Sequence, residues 1–130
     1  MNPHGTFIWN ELVTTDQERC GAFYGALLGW TRKDVDMGPM GTYTLFQQDG
    51  RDVAGMMDPT TEYSRARPPH WSAYVAVDDI DACFERVAAL GGEIIAAPED
   101  IPGVGRVGMI ADPTGAPLCF MTPIEEVQEP

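Results

Sequence analysis

The chain contains an internal repeat. Placing Asp16 over Asp79 also brings Cys20 over Cys83 and Leu27 over Leu90, so one register holds through a strand and nearly all of the following segment. Self-similarity on this scale implies a supersecondary unit that folds twice. In the first copy, residues 6–13 (TFIWNELV) are rich in β-branched and aromatic types and run into Thr-Thr-Asp, which ends a strand and caps a helix. Phe23, Tyr24, Leu27 and Leu28 recur at three-to-four spacing and predict a buried stripe on a helix from about Asp16 to Leu28, stopped by Gly29. Strands are predicted at 30–35, 42–48 and 52–57, the last two joined by Asp49-Gly50, a strong hairpin signal.

Residues 58–69 (DPTTEYSRARPP) hold three prolines and many polar groups and read as a linker. The pattern then recurs. A strand at 70–77 (HWSAYVAV) leads into Asp78-Asp79-Ile80-Asp81, an acidic first turn suited to the helix dipole. Ile80, Cys83, Phe84, Val87 and Leu90 form the second predicted stripe, and strands follow at 93–97, 104–111 and 117–121. The expected fold class is α+β, with two β-α-β-β-β modules in tandem: module one at 6–58, linker at 59–69, module two at 70–122 and an acidic tail at 123–130. Two curved mixed sheets, each coated by a helix on one face, would turn their other faces onto a ligand-sized cleft.

At 130 residues the chain has the length of one domain and buries roughly two-thirds of its unfolded surface. Eight basic residues against twenty acidic ones give a net charge of -12, which repels nucleic acid and anionic membranes and attracts small cations. No apolar run approaches the roughly 20 residues of a membrane span, and no basic-then-apolar leader opens the chain. Cys20, Cys83 and Cys119 are odd in number and lack a C-x-x-C pair, against a disulfide framework or structural zinc. A cytoplasmic protein is expected.

Residues 9–30 (WNELVTTDQERCGAFYGALLGW), 75–92 (VAVDDIDACFERVAALGG) and 111–118 (ADPTGAPL) resemble the modules of the glyoxalase/bleomycin-resistance/dioxygenase family, the vicinal oxygen chelate superfamily. The resemblance implies the duplicated fold and a homodimer. It also implies a divalent metal held by His, Gln or Glu side chains from the first and last strand of each module. In this chain the first-strand places fall at Trp9 and Ser72. The last-strand places fall at Cys119 and near Ala54 or Met56. Hard cations want oxygen donors, so no metal and no cofactor are expected. Residues two apart share a strand face, which leaves a shifted Glu11/His70/Cys119 set conceivable for a metal-dependent lyase, isomerase or dioxygenase.

Glu11, flanked by apolar residues, is the leading candidate for general acid or base, unless Arg106 or a backbone amide simply satisfies it. His70 is the second catalytic candidate, although a histidine at a strand entrance is often a solvated or capping residue. Trp9 would stack on a ligand or fill core space; Ser72 and Tyr74 would orient a ligand by their hydroxyls. Cys119 in an apolar strand and Met56 would line the site, and Arg106 would contact an anion. The glycine-rich 101–106 (IPGVGR) lacks a phosphate-loop pattern and reads as a turn. These features predict a protein that binds a small, partly aromatic or apolar molecule without a metal. A drug-sequestering protein that takes a cationic ligand is the alternative.

Overall fold

The computed structural model describes residues 3–124, so residues 125–130 of the expected acidic tail lie outside the described residues. Two compact units emerge, one of residues 9–72 and the other joining the residues up to 8 with those from 73 onward. The first contains α1 (Gln17–Leu28), β2 (Thr31–Asp36), β3 (Thr42–Gln48) and β4 (Arg51–Met57), with most of β1 (Phe7–Val13). β2, β3 and β4 are antiparallel neighbours, and β4 returns beside β1 in parallel, with Glu11 opposite Gly55 and Leu12 opposite Met56.

The second unit repeats this plan. It holds α3 (Ile80–Glu85), β6 (Glu93–Ile101), β7 (Gly105–Ala111) and β8 (Pro117–Pro123), with β5 (His70–Ala76) from Ala73 onward. β6, β7 and β8 are antiparallel, and β8 runs parallel to β5, with Tyr74 opposite Cys119 and Val75 opposite Phe120. The chain ahead of β1 joins this unit through hydrogen bonds from Gly5 N–H to Ala76 O (2.7 Å) and from Ala76 N–H to Thr6 O (2.9 Å). Two β-α-β-β-β modules are therefore present, as the repeat predicts.

The duplicated Asp does the same work twice. Asp16 accepts from the Arg19 N–H at 3.1 Å and Asp79 from the Ala82 N–H at 3.2 Å, each meeting an orphan donor of a first turn. Gly29 closes α1 at φ 80°, a left-handed conformation that other residues adopt at a cost. The linker is more structured than its prolines predict. It forms α2 (Glu62–Arg65), one turn locked by reciprocal Thr61–Ser64 bonds, and the Arg67 guanidinium stacks 4.2 Å from the centre of the Tyr63 ring.

Each module has its own core on the helix side of its sheet. Leu12, Phe46, Ala54 and Met56 form the first, with Tyr24 and Trp30 packed against them; Val75, Val77, Ile80, Phe84 and Ile110 form the second. The predicted helical stripes need correction. Phe23 and Leu27 are mostly exposed, Leu28 is nearly half so, and α3 ends at Glu85, leaving Leu90 mostly exposed. The rings of Tyr24, Trp30 and Phe46 fill the space under α1, so Phe23 rests on the outer edge of Tyr24. Gly21 is the one fully buried residue of α1, because the Arg32 side chain lies 2.9 Å from where its Cβ would be. Urea denaturation should therefore separate two phenylalanines. Phe46→Ala should cost about 3–5 kcal/mol, whereas Phe23→Ala should cost under about 1 kcal/mol.

Candidate functional site

Strand alternation sorts the candidates. In the first module Leu12, Thr44, Phe46, Ala54 and Met56 lie on the α1 side. Trp9, Glu11, Tyr43 and Gly55 therefore lie on the other face. There the Trp9 indole Nε1–H donates to the Tyr43 hydroxyl at 2.9 Å. A side chain at Gly55 would overlap the Tyr43 hydroxyl, so the phenol lies across a gap that only glycine leaves open. Glu11 stands directly opposite Gly55 and is buried. Burial pushes the Tyr43 phenol far above its usual range; the negative charge of Glu11 adds to this and the Trp9 hydrogen bond offsets it in part.

His70 and Ser72 belong to the same unit, at the start of β5, and both are half-buried. Trp71 between them donates to the Tyr24 hydroxyl at 3.2 Å and packs edge-on against Trp30, which commits it to the α1 side. Alternation turns His70 and Ser72 the other way. His70 Nδ1 lies 2.8 Å from the Pro68 carbonyl; a carbonyl only accepts, so Nδ1 carries the proton and Nε2 is left with the basic lone pair.

In the second module Tyr74 and buried Cys119 face one another across β5 and β8, on the side away from α3, with Met121 and Met109. Two expected site residues fall elsewhere. Met56, fully buried, packs in the core beneath α1, on the face opposite Glu11; this removes it from the site. Arg106 lies on the helix side of β7, where it binds Asp81 through Nε (2.8 Å) and Nη2 (3.1 Å) and Asp100 through Nη1 (3.1 Å). These bonds hold the Asp81 carboxyl below its usual range, and they account for Arg106 without Glu11 or an external anion. Tyr43 and Gly55 escaped the sequence reading. The alternation around Phe46 carries the signal for Tyr43, but Gly55 needs the β1–β4 register.

A model of the Glyoxalase/Bleomycin resistance protein/Dioxygenase superfamily matches residues 6–120. The chain belongs to this superfamily. It is 39% identical over 123 residues to the "Putative glyoxylase CFP32" of Mycobacterium tuberculosis, covering 95% of this chain and 46% of that protein. It is 37% identical to the anthracycline biosynthesis protein DnrV of Streptomyces peucetius, covering 86% of this chain and 45% of that protein. The chain thus spans about half the length of the curated relatives it matches. Among solved structures, a hypothetical protein from Bacillus halodurans superposes with a TM-score of 0.71 at 14% identity, covering 98% of this chain and 100% of that one. Methylmalonyl-CoA epimerase from Mycobacterium tuberculosis does so at 0.65 and 17%, covering 96% and 93%. At such identities the likeness is one of fold.

The resemblance to this superfamily implies a divalent metal, and the donors at its usual places do not fit one. The register of β1 and β4 moves the last-strand place of the first module from Ala54 or Met56 to Gly55, the counterpart of Cys119. The four places thus hold an indole, a glycine, a serine and a thiol. Among the described residues no three His, Cys, Asp or Glu side chains form a group that could hold a metal ion.

Tyr43 should be visible in alkaline titration. A phenol whose folded pKa is raised stabilises the fold fully below its unfolded pKa of about 10, and that contribution is lost as pH rises beyond it. Tyr43 should ionise only as the protein unfolds. Tyr43→Phe should remove that late absorbance step and flatten the alkaline loss of stability.

Proposed function

We propose that the chain is a metal-independent member of its superfamily that binds a small, partly aromatic or apolar organic molecule on the face of the first module away from α1. One observation carries this reading: Trp9, at a place where the family would carry a metal ligand, forms a hydrogen-bonded aromatic pair with Tyr43 on the face of buried Glu11. The 37% identity to a protein named for anthracycline biosynthesis supports an aromatic ligand. In an enzyme of this kind Glu11 is the general base or acid, because a desolvated carboxylate is readily tuned toward neutral pH. His70 is the second such group through Nε2, and Ser72, in the same unit, contacts the ligand.

Sequestration of a drug without chemistry is the second reading, and the net charge of -12 favours it for a cationic ligand. We expect a homodimer in the cytoplasm, on the family resemblance and the free cysteines.

Metal content and melting temperature test the central claim. Protein purified without chelator and then offered Zn²⁺, Mn²⁺, Fe²⁺ or Ni²⁺ should hold none stoichiometrically and gain no stability. One tightly held ion per chain would overturn the proposal, since a ligand that binds only the folded state must raise its apparent stability. For the acid–base assignment, Glu11→Gln should lower turnover of any identified substrate by roughly 10²-fold or more. Unchanged turnover would remove Glu11 from that role.

A further inference from the structure

Resting on that reading, we propose that Tyr43 is the ligand-facing hydrogen-bond donor of the first-module site, selecting flat organic molecules that present a carbonyl oxygen to its hydroxyl. The geometry supplies three parts. Trp9 donates to the Tyr43 hydroxyl at 2.9 Å, which occupies a lone pair of the phenol oxygen and leaves it a proton to give. The absence of a side chain at Gly55 lets the phenol lie over the strand, so its oxygen is held at a fixed height beside Glu11. The indole that positions this oxygen also brings an aromatic surface to the same place.

Each part constrains the others. An indole N–H cannot accept, so Trp9 can hold Tyr43 only through the phenol oxygen and cannot compete for its proton. Burial first, and the charge of Glu11 second, disfavour loss of that proton, and the phenol stays a neutral donor across the physiological range. A neutral donor suits a carbonyl oxygen. A carboxylate ligand would meet both buried Glu11 and the charge of the whole chain, -12, so anionic acceptors are disfavoured.

A matched pair of neutral probes tests the assignment: 1-tetralone, which has a ring-attached carbonyl, and tetralin, which lacks it. The readout is the indole N–H resonance of Trp9, identified among the three tryptophans by its loss in Trp9→Phe. The unsubstituted protein should bind 1-tetralone roughly three- to tenfold more tightly than tetralin, the range one hydrogen bond supplies. Tyr43→Phe keeps the ring and removes one oxygen; it should bind both probes equally, at the affinity of tetralin. Gly55→Ala, which displaces the ring but keeps the hydroxyl, should also reduce the preference, and it decides the matter should Tyr43→Phe fail to fold. Retention of the full preference in the folded variants would overturn the role of Tyr43 and leave the site standing. Failure of both probes to move the Trp9 resonance would overturn the site and this assignment together.

Discussion

The parallel return of each module's last strand beside its first is the constraint on which the placement of every candidate site residue depends. A hairpin cannot make this pairing. The chain must cross over through a helix and two further strands before it comes back. Once the pairing is made, the face of every side chain follows. Leu12 and Met56 lie beneath α1 while Glu11 and Gly55 lie away from it; Val75 and Phe120 lie beneath α3 while Tyr74 and Cys119 lie away. A slip of one residue in β4 would put Met56 opposite Glu11 and bury a glycine in the core. The hydrophobic demand of Phe46, Ala54 and Met56 against α1 resists that slip, so core packing sets what the opposite face can present.

What could be read from the sequence is what is local. The Asp16 and Asp79 caps, the Gly29 stop, the Asp49-Gly50 hairpin and the repeat itself depend on residues within a few positions of one another, and each stands within a residue or two of its predicted place. The burial of Glu11 was also legible from its apolar neighbours on the strand. The misplaced site residues depend on pairing between distant strands. The register of β1 against β4 puts Gly55, not Ala54 or Met56, at the family's last-strand place, and the shift between β3 and β4 at Phe46 and Gln47 is an irregularity that a residue count along the chain cannot see. Arg106, expected as an anion contact or a partner of Glu11, binds Asp81 and Asp100 instead. Phe23 and Leu27 have the spacing of a buried stripe, but Tyr24 and Trp30 had already filled the space beneath the helix.

The aromatic pair of Trp9 and Tyr43 shares its strand face with a buried carboxylate. Burial is the larger cause that keeps the Tyr43 proton on its oxygen, and the charge of Glu11 adds to it. The two groups are thermodynamically linked, because whatever raises the proton affinity of one alters the cost of charging the other. A ligand that draws on the Tyr43 proton will therefore also alter the basicity of Glu11.

Gly55, Tyr43 and Trp9 form a set in which no member can change independently. Any larger residue at 55 must move the phenol, and a moved phenol leaves the Trp9 indole without its acceptor at a half-buried place. Loss of Tyr43 would instead open a gap beside Glu11 that only water or a ligand could fill. By having no side chain, Gly55 sets where the phenol lies, and with it the hydrogen bond of the Trp9 indole.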